Sequence, residues 1–321
     1  MKRVLVTGCT GFVGRVVCDA LAYGGYIVRA AVRTDRSPGP TSAERVVVGE
    51  VGTNTDWRAA LADVDFVIHL AAKAHVTDTA AANADAFMEI NARGTDTLAT
   101  AAAQAGVRRF LYLSSVKVNG EETPGRAYSP QDEPHPADAY GLSKSLGEKH
   151  LLAVAARAPM EAVIVRSPLV YGSGVRANFL RLLRWVDSEW PLPLGAVHNR
   201  RSLVSVWNLC DLLVLLLRHP TGAGRIWMVS DGEDLSTPEL IRRLGRAMNR
   251  RVRLLPVAPA ILEICGSLLG RKEVVARLCS SLAVDITHTR RDLGWSPPVS
   301  VDEGLARTST WYLAEYPRRG G

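Results

Sequence analysis

The sequence predicts a doubly wound α/β domain built on a parallel sheet, followed by a smaller α/β domain. Three observations predict it. Short β-rich runs alternate with Ala-, Leu- and Glu-rich stretches at helical spacing through the first half. Those runs are mainly continuous apolar stretches without regular alternation with polar residues, as in strands covered on both faces. A glycine cluster also stands at the first strand–helix junction, and such an order of elements implies a sheet wrapped by helices.

The candidate strands, in order, are Arg3–Thr7, Ile27–Val32, Arg45–Val48, Phe66–Leu70, Phe110–Ser114 and Ala162–Arg166. Val13–Leu21 and Asn91–Ala105 carry helical spacing between them. After residue 170 the pattern loosens. "WPLPLGAVHNRRS" is a loop punctuated by Pro and Gly, whereas "STPELIRRLGRAMNR" opens a helix with Thr237 as cap and Pro238 in the first turn. "LGWSPP" closes a helix, and the final "PRRGG" is expected to fray. The expected division is therefore a doubly wound domain over 1–170 and a smaller domain over 171–321.

With 321 residues, 47% of them hydrophobic, the chain can bury a large core. The formal charge is +7, and much of the excess lies in Arg242, Arg243, Arg246, Arg250, Arg251 and Arg253. A solvated basic helix face explains that cluster better than a nucleic-acid or membrane site, while the overall field favours an anionic substrate. The five cysteines show no paired spacing, which argues against a disulfide framework and against a zinc site, and no metal is expected. The N-terminus enters a strand without a signal-peptide profile. The apolar runs Leu212–Leu217 and Pro256–Leu262 are too short to span a bilayer. These features predict a soluble cytoplasmic protein with no nucleic-acid partner and no membrane insertion.

"VLVTGCTGFVGRVV" sets Gly8, Gly11 and Gly14 between the first strand and the first helix, with Phe12 and Val13 opening that helix. A tight strand-to-helix turn wants positive φ, and a pyrophosphate must approach the helix N-terminus closely. Arg33 stands nineteen residues after Gly14, at the end of the second strand. An acid there holds the ribose hydroxyls of NAD, whereas a guanidinium suits the 2′-phosphate of NADP. NADP(H) is thus favoured and NAD(H) remains open; Asp35 and Arg36 are close by, and a strand end in plain solvent is the simpler alternative.

Tyr140 and Lys144 in "AYGLSKSLGEKH" are four residues apart on a predicted helix, hence on one face and about 6 Å apart along its axis. A free phenol titrates near 10, too high for a base at neutral pH, and an ammonium one turn away is expected to lower it. Ser115, in "FLYLSSVKVNG", follows the fifth strand at the C-terminal edge, where open parallel sheets bind ligands. Together the three can hold a hydroxyl or ketone oxygen and move its proton.

The motifs "TGCTGFVG", "DFVIHLAA", "NARGT", "SSVKVNG", "YGLSK", "RSPLVYG" and "LGW.P" resemble those of the extended short-chain dehydrogenase/reductases, in the nucleotide-sugar epimerase/dehydratase family. The resemblance covers nearly the whole chain and implies a Rossmann-like fold. It puts Ser115, Tyr140 and Lys144 on the catalytic positions, with Lys144 also on the nicotinamide ribose. It implies that Leu70, Ala71 and Ala72 lie against the cofactor and that Glu50 and Val51 stand by the adenine. Asn178 and Arg201 fall on residues that contact the nucleotide diphosphate, and His75 is a candidate for the sugar pocket or else a solvent-facing histidine. Family members commonly form homodimers through the helices that here hold Asn91–Ala105 and Tyr140–Leu152.

Departures from the family pattern bear on the reaction. Val116 and Lys117 occupy the places where a 4,6-dehydratase has an Asp-Glu pair, which argues against dehydration. Leu169 and Asn119 replace an asparagine and a tyrosine common in 4-epimerases. Arg33 and the missing strand-end acid favour an NADPH-dependent 4-reductase of a UDP-4-keto-6-deoxy-N-acetylhexosamine in surface-polysaccharide synthesis. The alternative is a UDP-glucose or UDP-N-acetylglucosamine 4-epimerase with bound NAD. A dinucleotide-sensing regulator is disfavoured because Ser115, Tyr140 and Lys144 are all retained, and a reductase of hydrophobic small molecules because Asn178 and Arg201 suit a diphosphate.

Overall fold

The computed structural model describes residues 1–37, 40, 43–74 and 80–317. His75 and the last residues expected to fray lie outside them. The first half runs β1 (Arg3–Thr7), α1 (Phe12–Tyr23), β2 (Ile27–Val32), β3 (Glu44–Val47), α2 (Arg58–Leu61), β4 (Phe66–His69) and α3 (Ala80–Phe87). It continues through a π-helical turn (Met88–Arg93), α4 (Gly94–Gln104), β5 (Arg109–Ser115), α5 (Ala139–Ala155) and β6 (Glu161–Ser167). The second half adds β7 (Leu169–Tyr171), α6 (Ala177–Ser188), β8 (Arg201–Ser205), α7 (Val206–Leu216), β9 (Arg225–Met228) and β10 (Asp234–Leu235). Five helices complete it: α8 (Thr237–Ala247), α9 (Pro259–Leu268), α10 (Lys272–Cys279), α11 (Thr287–Leu293) and α12 (Val301–Glu315).

The main sheet has seven parallel strands in the order β3-β2-β1-β4-β5-β6-β9. The winding direction reverses between β1 and β4, whose ends are in register at Thr7 and His69. That reversal opens the crevice in which doubly wound sheets bind ligands. Strands β1 and β4 carry Val4, Leu5, Val6, Val67 and Ile68, all inaccessible to solvent, which explains their unbroken apolar character.

The second half returns to this sheet. β9 pairs with β6, and α7 packs Leu209, Leu212, Leu213 and Leu216 into the same core as Val17, Cys18 and Leu21 of α1. The expected division at residue 170 is therefore not a division of the sheet: without β9, β6 would be a bare edge. The apolar run at 212–217 is accordingly a buried core helix. The smaller part has a three-stranded sheet, β10-β8-β7, with its own core from α6, α8 and α12.

Two local expectations change. The helix expected over 91–105 begins in the π-helical turn and passes into α4 without a break. At α8 the cap is Ser236, whose hydroxyl accepts from Glu239 N, while the hydroxyl of Thr237 donates to the Leu278 carbonyl. In the late basic cluster, Arg242, Arg243 and Arg246 share Glu239, and Arg250 pairs with Asp187.

Candidate active site

The turn after β1 is shaped by its glycines. Gly8 has φ of +70°, and a Cβ there would lie 2.7 Å from Ala71 N, so the loops after β1 and β4 approach at backbone distance. A Cβ on Gly14 would lie 2.2 Å from the Gly8 carbonyl oxygen, which leaves no room between α1 and the turn. Gly11 caps α1 without a side chain, and the first helical turn holds no acidic residue. Its amides and the positive end of the helix dipole are thus open to an anion. These features fit the diphosphate of a dinucleotide, with Phe12 and Val13 supplying first-turn amides.

Leu70 N donates to the Thr7 carbonyl and Ala71 N to the Thr7 hydroxyl at 3.1 Å, so Leu70–Ala72 line the other wall of the crevice. Arg33 follows β2 directly and is exposed, and its guanidinium stands 3.8 Å from the carboxylate of Glu50. Glu50 and Val51 lie beyond β3, on the same side of the sheet edge as Arg33.

Ser115 ends β5, and its hydroxyl comes near enough to Tyr140, at the start of α5, to favour the phenolate. That helix starts on Asp138, whose carboxylate accepts from Gly141 N at 2.6 Å and also holds Lys117 Nζ at 2.7 Å. Lys117 reaches Glu121 as well, at 2.6 Å. The residue standing where a dehydratase carries an acid thus anchors the cap of the helix bearing Tyr140. Phe87 packs edge-on against the Tyr140 ring, with centroids 5.9 Å apart.

The electrostatics differ from expectation. Burial pushes the Tyr140 phenol up to about 12, with the nearby Ser115 hydroxyl acting the other way. Burial also brings Lys144 down to about 7, with the carboxylate of Glu148 acting the other way. The Lys144 ammonium lies 4.0 Å over the ring of Tyr112. The expected lowering of the phenol by Lys144 is not seen: loss of water raises it, and the charge of Asp138 acts in the same direction.

Residues not singled out from the sequence hold this arrangement. Asn91 exchanges hydrogen bonds with both backbone groups of Lys73, at 2.9 and 3.0 Å, and donates to Ser143 at 3.0 Å. Ser143 in turn donates to the Tyr140 carbonyl. Buried His69 lies between Thr7, 2.7 Å from Nδ1, and Thr95, 3.1 Å from Nε2. Because Thr95 gives its hydroxyl proton to the Asn91 carbonyl, Nε2 carries the imidazole proton and Nδ1 accepts from Thr7. Behind α5, Arg166 grips Glu148, which also accepts from Ser114, while Asn119 accepts from Arg166. The motif "NARGT" marked the neighbourhood of Asn91 and Thr95; nothing in local pattern pointed to Glu148 or Arg166.

The residues expected on the substrate side stand on separate elements. Asn178 is exposed in the first turn of α6, where its Oδ1 accepts from Arg181. Arg201, on β8, is turned towards the end of α10 and donates to the carbonyls of Arg277 and Ser280. Burial lowers its pKa, with Glu121 opposing.

Comparison with known proteins agrees with this geometry. Residues 4–230 match the NAD dependent epimerase/dehydratase family. A UDP-glucose 4-epimerase of Vibrio cholerae is 42% identical over 316 residues, covering 97% of this chain and 96% of that protein. Among solved structures, MoeE5 in complex with UDP-glucose and NAD superposes with a TM-score of 0.78 at 25% identity, covering 98% of this chain and 99% of that one. MoeE5 in complex with UDP-glucuronic acid and NAD gives the same TM-score at 24% identity, over the same shares of the two chains.

Proposed function

The chain belongs to the NAD dependent epimerase/dehydratase family, and from that premise we propose that it inverts C4 of a UDP-hexose or UDP-N-acetylhexosamine with a resident NAD(H). The observation that carries the reading is the meeting of Ser115, at the C-terminal edge of β5, with Tyr140 of α5, and Lys144 one turn further along that helix. The sequence alone leans towards a 4-keto reductase; similarity to a UDP-glucose 4-epimerase over 97% of the chain moves the weight to epimerisation.

A bound nicotinamide supplies the hydride acceptor and donor. Ser115 holds the sugar O4 beside Tyr140, whose oxygen takes the O4 proton during oxidation and returns it after the 4-keto sugar has turned over. Lys144, one turn along α5, would hold the nicotinamide ribose and, in its charged form, favour the Tyr140 phenolate. Gly8, Gly11 and Gly14 cradle the cofactor diphosphate, Leu70–Ala72 wall the nicotinamide side, and Glu50 and Val51 flank the adenine. Arg201 and Asn178 bind the substrate diphosphate, which requires Arg201 to exchange its carbonyl partners for phosphate oxygens. The unit that acts is proposed to be a homodimer through α4 and α5, where Leu142 and Leu152 stand 42% and 39% exposed.

One observation favours a second reading. Arg33 offers a guanidinium at the ribose position, which suits NADP and therefore an exchangeable, consumed cofactor. Its pairing with Glu50 tempers this, because that carboxylate can hold ribose hydroxyls and repel a 2′-phosphate. The test is proton NMR of purified protein with UDP-glucose, and separately with UDP-N-acetylglucosamine, without added cofactor. Interconversion of the C4 epimers, with NAD recovered from the denatured protein, supports the epimerase. No interconversion, combined with stoichiometric NADPH oxidation on a UDP-4-keto-6-deoxy sugar, would establish the reductase.

A further inference from the structure

Helix α9 turns apolar side chains outward. Ile261, Ile264 and Leu268 recur at helical spacing on one face and are 53%, 62% and 82% exposed; Leu269, just past the helix end, is 73% exposed. Leu255, on the extended segment leading into the helix, is 49% exposed. The opposite face is the packed one, with buried Gly266 set against Val275 of α10. Glu263, the one carboxylate in the helix, lies towards Cys279.

Free cations bracket this strip. Arg251 and Arg253 precede Leu255, and Arg271 and Lys272 follow Leu269; all four are exposed. Among the described residues no carboxylate pairs with any of them, whereas Arg242, Arg243, Arg246, Arg250 and Arg277 in the same part of the chain are all paired. An apolar face bounded by unpaired basic residues at both ends is the pattern of a helix that lies in a charged interface.

We propose that α9 is a peripheral docking helix, laying Ile261, Ile264, Leu268 and Leu269 on an anionic lipid surface whose headgroups meet Arg251, Arg253, Arg271 and Lys272. A second copy of the chain is the poorer occupant. A two-fold contact through this strip would bring cationic ends against cationic ends, a like-charge arrangement that opposes association. The helix lies on the surface without crossing it: it has ten residues, and among the described residues no helix is long and apolar enough to span.

The test is flotation of the full chain with phosphatidylcholine vesicles containing about 30% phosphatidylglycerol, against phosphatidylcholine alone. The expected result is flotation with the anionic vesicles only, reversed at about 0.5 M salt, where charge attraction is screened within a few ångströms. The double variant I264E/L268E should lose at least about tenfold in bound fraction, while remaining folded by circular dichroism and keeping its activity on soluble UDP-hexose. Absence of flotation in the wild type, or equal flotation of the variant, overturns the proposal. So does sedimentation showing that the wild type self-associates and that the variant dissociates it, which would make the strip a contact between copies.

Discussion

Arg166 and Glu148 form a bidentate ion pair in the interior, one helical turn beyond Lys144. Arg166 Nε and Nη2 meet the two carboxylate oxygens at 2.9 and 2.6 Å, and the side chains are 2% and 4% exposed. Ser114, next to Ser115, donates to the same carboxylate. The pair therefore ties β6, the end of β5 and α5 together directly behind the reacting groups. Removing one partner strands a buried charge, which typically costs about 3–5 kcal/mol. Glu148→Gln is expected to lower the stability by that order in urea unfolding. A loss below about 1 kcal/mol, typical of an exposed pair, would show that water reaches the site.

Tyr140→Phe removes the oxygen proposed to exchange the proton while leaving the ring against Phe87. Turnover should fall by about 10²–10⁴-fold, with cofactor binding by calorimetry unchanged. Retained turnover would mean that another group moves the proton.

Ser115→Ala tests the serine separately. Its hydroxyl holds the phenol below the value burial would otherwise set, so its removal raises the Tyr140 pKa further. With the phenolate as the proposed base, the ascending acid-side limb of kcat/KM should move to higher pH, and activity near neutrality should fall. An unshifted profile with reduced kcat would assign Ser115 to holding the substrate oxygen alone.

The sheet was legible because its signal is local. Continuous apolar runs and a glycine turn mark β1, α1 and β2 regardless of what packs on them, and the boundaries of β1 and β2 agree with the structure to the residue. The same holds for Ser115 and Tyr140, which stand at a strand end and a helix start. The return of β9 was not legible, because four residues pairing with a strand about sixty positions earlier leave no periodic trace. The Glu148–Arg166 pair, the hold of Asn91 on Lys73 and that of Lys117 on Asp138 escaped for the same reason: each acts across distant segments. The titration of Tyr140 and Lys144 was misjudged because spacing reports the neighbour's charge and says nothing of the water lost around both groups.

Gly14→Ala places a methyl 2.2 Å from one backbone oxygen and 2.7 Å from the Cα of Cys9, neither of which can swing aside. Helix α1 must lift away from the turn, at a cost of about 1–3 kcal/mol by analogy with overpacked cores. Dinucleotide affinity should weaken by more than about tenfold as the first-turn amides move. Gly11→Ala, whose methyl would meet the Gly8 carbonyl at 3.1 Å, should be milder. Calorimetry on both variants checks the order; equal affinities would place the anion elsewhere.

His69 makes acid stability depend on one buried ring. Burial, reinforced by the Lys144 charge, depresses its pKa from 6.5 to about 3, and the Thr7 and Thr95 hydroxyls suit only its neutral form. The unfolded chain binds a proton below 6.5 that the native chain refuses until about 3. The contribution is thus complete above 6.5 and is lost as pH falls through that window, at up to about 1.4 kcal/mol per pH unit. Lys144 acts in a separate range: depressed from 10.5 to about 7, it erodes stability as pH falls between those values. His69→Gln keeps an amide between the two threonines and cannot protonate. Urea unfolding of both proteins between about pH 7 and 4 should show a shallower fall for the variant, since carboxylate contributions are common to the two and cancel. Parallel curves would mean that the imidazole titrates in the native state, and that water enters between β1 and β4 at the base of the cofactor crevice.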